Sequence, residues 1–371
     1  MKQSGRSREK LIFLMTAGAT GIILLVMGGY QLIEFTDSTA FCGRLCHDVM
    51  YPEYTTHQAS PHSRVSCSEC HVGSGADYLV RSKVSGTPML FHTLAGTYHR
   101  PIPTPVENLR PARETCEQCH RPARFAGDIV RVHTTYESDE TNTENVDTRA
   151  LRVGGGELEV ARDIHWHIAA RVWYMPLDRE RQDIAWVGVE DTGGQLTEYI
   201  DPQKQAELTA GLIDVERRLM DCMDCHNRAT HIFNSPEDLV DAALTQGKID
   251  RGLPYIKREA LEALEPPSQS LAEANARAED IKEFYRTNYT TIYNEKVTVI
   301  EQAVAEVKEI ARLTTFPHMK VSWETYIDNS GHLESPGCLR CHGKLVELVD
   351  NKAEGEVINA DCDLCHYFEL E

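Results

Sequence analysis

No cysteine of this chain stands alone. All twelve fall into six short patterns, each closed by a histidine, so no thiol is left over for an independent disulfide framework. Positive charge is scarce as well: 38 Lys and Arg face 57 Asp and Glu, a formal charge of −19, which argues against a nucleic-acid partner held through phosphates. Long apolar runs are nearly absent beyond the N-terminus. The helical stripes at 268–286 and 296–312 are too charged to cross a bilayer and read as core or scaffold.

What is there begins with Cys42-Gly-Arg-Leu-Cys46-His47 and Cys67-Ser-Glu-Cys70-His71. It continues through Cys116-Glu-Gln-Cys119-His120, Cys222-Met-Asp-Cys225-His226, Cys338-Leu-Arg-Cys341-His342 and Cys362-Asp-Leu-Cys365-His366. A Cys-x-x-Cys-His turn carries two thiols that form thioethers with the two haem vinyls, and the adjacent imidazole then lies under the iron. Disulfides or structural zinc would explain paired cysteines. Neither explains a histidine after every second cysteine. The first pattern has a three-residue spacer and needs a wider loop across the haem edge. Six covalent haem c groups are the expectation, enclosed by a thin shell of protein.

The N-terminus carries Lys2, Arg6, Arg8 and Lys10, and residues 11–30 then run without a charge, continuing apolar to Ile33. Twenty residues at helical rise cross a hydrocarbon core of about 30 Å, and a basic flank keeps the N-terminus in the cytoplasm. The haem-bearing part is therefore expected outside the cytoplasm, on a one-span anchor in the cytoplasmic membrane. A cleaved signal peptide ending near Ser38-Thr39-Ala40 is the competing reading. Eight residues separate Ile33 from Cys42, which keeps the first haem within about 30 Å of the membrane surface. That makes it the natural port for a membrane-dissolved reductant.

Charge is uneven along the chain. Residues 64–131 hold nine basic against six acidic side chains, so the acidic surplus lies almost wholly beyond 131 and would suit a basic redox partner. Met50 follows His47 by three residues and is within reach of the first iron if the chain turns; thioether ligation would raise that haem's potential, and packing beside a porphyrin is the alternative. Quinol oxidation would need, beside a one-electron acceptor, groups that bind or accept the hydroxyl protons. Asp77 and Lys83 are suitably placed in sequence.

From Cys42 to about Gly127 the sequence resembles the NapC/NirT family of membrane-anchored multihaem cytochromes c, known as quinol dehydrogenases. The matching features are the anchor, residues 42–50, Ser60-Pro61-His62 before Cys67-Ser68-Glu69-Cys70-His71-Val72-Gly73, and Lys83 twelve residues after His71. The resemblance implies Met50 as a haem ligand, His62 as the distal ligand of another haem and Lys83 at the quinol site. An acidic residue of that family would fall near Leu90 here, with His92 the closest ionisable substitute, and the third motif is followed by a long insertion.

The remaining chain divides by pattern. Residues 1–10 are a basic tail, 11–33 the anchor, and 34–127 a haem domain with motifs one to three. Residues 128–205 read as a β-rich insertion, 206–315 as a helical segment with the fourth motif, and 316–371 as a two-haem segment. In the insertion, alternation through Ile164-His-Trp-His-Ile168 predicts a strand with His165 and His167 on one face, both able to point to a porphyrin. The stretch 137–147 predicts an exposed loop and 206–220 a helix leading into motif four. His231, five residues after His226, is placed to serve a neighbouring haem. His332 lies six residues before Cys338 and mirrors His62 before Cys67, while the interval between the last two motifs holds no histidine. The sixth haem needs a ligand from elsewhere, for which His318 is the candidate.

Ten histidines lie outside the motifs, more than enough for five distal positions. Ligands on both sides of each iron make haems that shuttle electrons, whereas an open iron performs inner-sphere chemistry. The fold expected is one transmembrane helix plus a multihaem cytochrome c, mainly α and irregular around the haems with a small β-rich insertion. The function expected is transfer of electrons from the quinol pool to a periplasmic redox protein or respiratory complex. A non-catalytic subunit fed by a partner, and a reductase with an open haem, are the alternatives.

Overall fold

The computed structural model describes residues 2–45, 47–73, 75–106, 111–125, 127–157, 160–191, 193–211, 215–333 and 335–367. The side chains of residues 2–9, 45, 47, 48 and 76 fall outside that description.

Helix α1 (Lys2–Thr36) is the anchor. Its stretch Lys10–Thr36 is long and apolar enough to cross a membrane and buries nothing against the rest of the chain. At 1.5 Å per residue this stretch is about 40 Å long, more than the hydrocarbon thickness. A turn at Phe41–Leu45 leads into α2 (His47–Ala59), and an edge-to-face contact of Phe35 with Phe41 (5.5 Å) ties that turn back to the anchor. The short α3 (Cys67–His71) starts on a capping box, in which the Glu69 carboxylate accepts from the Ser66 backbone N–H at 2.6 Å. Helix α4 (Ala76–Ala95) ends on Gly96, whose left-handed φ of 67° lets its N–H reach back to the carbonyls of His92 and Thr93. A further turn, α5 (Ala112–Cys116), carries the third motif.

Next come the hairpin β1 (Ile129–Tyr136) and β2 (Glu144–Leu151), the turn α6 (Trp166–Ala169), and a meander of β3 (Arg171–Pro176), β4 (Ile184–Glu190) and β5 (Leu196–Ile200). Helix α7 (Gln205–Thr209), strand β6 (Arg218–Leu219) and the motif turn α8 (Cys222–Cys225) follow. Then five helices pack together: α9 (Pro236–Thr245), α10 (Ile256–Leu264), α11 (Leu271–Asn288), α12 (Thr290–Glu295) and α13 (Val297–Thr314). Strands β7 (Val346–Val349), β8 (Lys352–Val357) and β9 (His366–Tyr367) close the chain. One sheet runs β6-β3-β4-β5-β7-β8 and the other β1-β2-β9, with antiparallel neighbours throughout.

Four sequence expectations need correction. The β structure is not confined to 128–205: strands after the last two motifs add to both sheets, and Tyr199 pairs with Glu347. The stretch at 164–168 is not a strand, because Asp163 takes a left-handed φ of 61° and Ala170 N–H bonds the Trp166 carbonyl (2.8 Å), winding His165 and His167 into a helical turn before β3 begins. The helix expected over 206–220 stops at Thr209, where Gly211 turns at φ 66°; Arg218 and Leu219 pair instead with Tyr174 and Trp173 at the sheet edge. Within 137–147, the loop is only the tip of the hairpin, held by Asp139 accepting from the Thr143 N–H (2.8 Å) and hydroxyl (2.6 Å).

The helical stripes behave as core. Ile300, Val304, Val307 and Ala311 recur at three and four on α13 and are fully enclosed with Ile281 and Tyr285 of α11 and Leu253 and Ile256 at the start of α10. The β1–β2 hairpin docks on this bundle: Tyr136 enters its core, and the Asn142 amide donates to the carbonyls of Arg251 and Leu253, both at 2.9 Å.

Candidate functional site

The eleven described motif cysteines are all partly or fully exposed, and Cys341 packs against the buried cluster of Ala170, Val172, Tyr174, Ile184, Val187 and Leu345; Cys46 lies outside the described residues. Successive motifs touch. The side chain of Cys42 lies beside that of Cys67, and the side chain of Cys116 beside that of Cys222. Motifs four and five are locked through the residues between their cysteines. Arg340 donates to the Asp224 carbonyl (2.6 Å) and to the Arg181 carbonyl (2.8 Å). Asp224 is itself buried and accepts from Tyr174 Oη (2.5 Å) and Arg181 Nη1 (2.9 Å), so the six-stranded sheet clamps both motifs. Motif five reaches toward motif six through the Gly343 N–H on the Ile358 carbonyl (2.8 Å).

The described motif histidines are paired, and His231 also has His57 at 6.4 Å between ring centres. Each described motif imidazole faces one imidazole from outside the motifs: His71 with His231 at 6.3 Å between ring centres, His120 with His62 at 6.0 Å, and His226 with His165 at 6.4 Å. His342 faces His167 at 5.8 Å and His366 faces His332 at 6.3 Å. A metal between two imidazoles, about 2 Å from each nitrogen, sets their ring centres about 6 Å apart. The pairs therefore fit iron held axially from both sides. Among the described residues no group of three or more His, Cys, Asp or Glu converges as a cage, the arrangement structural zinc requires.

The hydrogen bonds select which nitrogen is free. Nδ1 of His62 donates to the Ala229 carbonyl (3.0 Å), of His165 to Val153 (3.0 Å), of His167 to Ile164 (2.9 Å) and of His231 to Glu53 (3.0 Å). A ring whose Nδ1–H is bound to a carbonyl presents the Nε2 lone pair, the usual second partner of a metal-bound histidine. Desolvation pushes His231 down to about 4 and holds His167 below the ordinary imidazole value, which favours the neutral form that ligation needs. His342 uses Nδ1 in the same way, on the Asn359 carbonyl.

His318, expected to serve the sixth motif, is not brought there. Its Nε2 is engaged with Tyr98 Oη at 2.9 Å, and the ring facing His366 is His332. His165 and His167, expected on one strand face, are split by a helical turn so that His165 faces motif four and His167 motif five. At the first motif the His47 side chain lies outside the described residues, and Met50 packs against the cluster of Val49, Phe316, Met319 and Val321.

Lys83 lies on α4 and reaches the end of the anchor: its ammonium donates to the Asp37 carboxylate and to Thr36 Oγ1 (2.9 Å). Asp77 is not its partner. Six residues apart on one helix are about 9 Å along the axis and face different sides. Leu90 is half exposed, and His92 Nδ1 is spent on Thr97 Oγ1 at 2.8 Å. Around Lys83, Val80, Val84, Phe91 and Leu94 are all exposed at helical spacing.

The comparisons with known proteins agree with this chemistry. The family model for the N-terminal region of the NapC/NirT cytochrome c family matches residues 5–103. The cytochrome c-type protein ImcH of Geobacter sulfurreducens is 43% identical over 362 residues, which cover 97% of this chain and 70% of that protein. The cytochrome c nitrite reductase subunit NrfH of Nitratidesulfovibrio vulgaris is 28% identical over 120 residues, 32% of this chain and 72% of its own. No solved structure matches the chain.

Proposed function

We propose, from the premise that this chain belongs to the NapC/NirT cytochrome c family, that it is a single-pass membrane hexahaem cytochrome that takes electrons from the quinol pool and relays them to a periplasmic acceptor. Membership makes it a membrane-anchored cytochrome c of electron transport. The finer reading rests on one observation, the five facing imidazole pairs.

When bound, c-type haem supplies reversible one-electron chemistry at iron. The residues that would hold it are the twelve motif cysteines, with His71 and His231, His120 and His62, His226 and His165, His342 and His167, and His366 and His332 as facing couples, and His47 with Met50 at the first motif. Two imidazoles for each of five haems would leave none of those irons open to a substrate, which suits electron transfer and disfavours the reductase with an open haem. The touching motifs supply an order. Motif one meets two through Cys42 and Cys67, His62 beside motif two faces motif three, Cys116 meets Cys222, and the Arg340–Asp224 lock joins four to five. Electrons then pass in the order of the sequence, from the membrane end outward.

Quinol enters beside the first motif, where Lys83 offers a cation to the ring oxygen. The reading fed by a partner protein is favoured by the name of NrfH, a subunit of a nitrite reductase. One experiment separates them: reduction of the detergent-solubilised protein by a menaquinol analogue, followed in the haem absorbance, with Lys83→Ala alongside. Fast reduction of the wild type, slowed in the variant, supports quinol oxidation by this chain. Absence of reduction in both, with full reduction by dithionite, moves the protein to the class fed by a partner.

A further inference from the structure

We propose that Asp37, at the outer end of the anchor helix, is the carboxylate that accepts the hydroxyl protons of quinol, with Lys83 as its paired cation; this rests on the quinol reading above.

Four observations meet at this point. Asp37 is the carboxylate on Lys83, and the same ammonium also holds Thr36 in the last turn of α1. The pair is accessible, with the two side chains 38% and 22% exposed, so a ligand can reach it. It sits where the apolar stretch Lys10–Thr36 ends, beside the exposed apolar row of Val80, Val84, Phe91 and Leu94 on α4. An amphiphile with a polar ring and an apolar tail matches that setting. Finally, Asp37 precedes Cys42 by five residues, and the Phe35–Phe41 contact folds the first motif against the same turn.

An exposed ion pair that only ties two helices contributes little, about 0–1 kcal/mol. Its placement between an apolar anchor and an unpartnered apolar helix face is better explained by a ligand. The chemistry needs both charges. The Asp37 carboxylate accepts one hydroxyl proton at a time and returns each to the outer water, so both O–H bonds break and the ring becomes the quinone. The two electrons leave singly to two ferric c-type haems, which become ferrous. Lys83 keeps its proton throughout and holds the ring oxygen that is gaining negative charge. The carboxylate is thus supplied by the end of the anchor rather than by α4, whose Asp77 lies six residues from Lys83 on another side of the helix and whose Leu90 and engaged His92 offer none.

The test uses the full-length, haem-loaded protein in detergent, as wild type, Asp37→Asn, Asp37→Glu and Lys83→Ala. Calorimetric titration with menaquinone-4 reads binding, and haem absorbance reads reduction by the corresponding quinol. Asp37→Asn is expected to slow reduction about a hundredfold, the usual contribution of one positioned acid or base, with the binding constant hardly changed. Asp37→Glu restores most of the rate, and Lys83→Ala weakens menaquinone binding instead. Reduction of Asp37→Asn at the wild-type rate would overturn the proposal, as would parallel loss of binding and rate that glutamate does not restore. If quinol fails to reduce the wild type while dithionite succeeds, the quinol reading itself falls and takes this inference with it.

Discussion

The helical bundle of α9–α13 and the motif-bearing shell around it are built on opposite plans. From 232 to 315 the chain has neither cysteine nor histidine, and its core of Leu253, Ile256, Tyr285, Ile300 and Val307 is fully closed to solvent. The shell has every motif, and beside α2 its buried apolar cluster shrinks to Val49, Phe316, Met319 and Val321. Apolar burial at about 25 cal/mol per Å² can hold the bundle together. In the shell the positions are set by hydrogen-bonded imidazoles, by motif-to-motif bonds and by the groups the cysteines carry. The difference teaches that one chain can divide its labour: the bundle supplies a scaffold, and the shell supplies a path.

The strongest way to break that comparison is to block haem attachment. With the first cysteine of each motif replaced by serine, the shell is expected to lose its protected amides in hydrogen exchange, while the segment 236–314 keeps them. Equal loss in both regions would show that the bundle depends on the haems as well. This effect is the largest because it would weaken the covalent hold on haem at every motif at once.

A cut aimed at the bundle alone comes next. Lys257 is 2% exposed and bonds Glu237 (2.9 Å), Asp241 (3.0 Å) and the Tyr136 carbonyl, so it links α9, α10 and the docked hairpin. Lys257→Ala leaves the carboxylate of Asp241 buried without its cation and is expected to cost about 3–5 kcal/mol in chemical denaturation, with the haem spectrum unchanged. Desolvation works against the charge of Lys257, but the bonds to Glu237 and Asp241 outweigh it and hold the ammonium above its ordinary value of 10.5. A raised lysine contributes its full stability below 10.5 and loses it as pH rises through the folded value. The contribution of this group should therefore stay constant with pH around neutrality and be lost only in strong alkali.

Within the shell, Asp224→Asn sharpens the comparison from the other side. It keeps the shape but removes the charge facing Arg181 and Tyr174, and is expected to cost about 1–3 kcal/mol. The loss should appear in the motif four and five segments, read by hydrogen exchange, and leave the bundle untouched.

How much of this was legible beforehand follows the same division. The motifs, the anchor and the apolar stripe at Ile300, Val304 and Val307 were readable because each signal is local: a fixed spacing, an uncharged run, a helical period. Distal partners were not, because His231 meets His71 and His62 meets His120 across intervals that no period encodes. The turn at 164–168 was misread as a strand for a related reason. Alternation of Ile, Trp and His satisfies both patterns over five residues, and only the left-handed Asp163 decides between them. The Lys83–Asp37 pair lay beyond reach because it spans 46 residues and two helices whose sequences predict no contact.

The smallest effect is the most discriminating. The sequence points to His318 for the sixth motif and sets His332 before the fifth, whereas the structure turns His332 toward His366 and His318 toward Tyr98. His332 faces His366 at 6.3 Å, whereas His318 spends Nε2 on Tyr98. His332→Ala should open one axial position and turn one haem from low spin to high spin in electron paramagnetic resonance, with little change in stability. His318→Ala should leave all spin states as they are and cost only the hydrogen bond to Tyr98, about 1 kcal/mol. A high-spin signal from His318→Ala and none from His332→Ala would reverse the assignment. The pairing rule itself, a backbone-bound Nδ1 behind each free Nε2, would still stand on the four pairs that show it, but its use in rejecting His318 would fail.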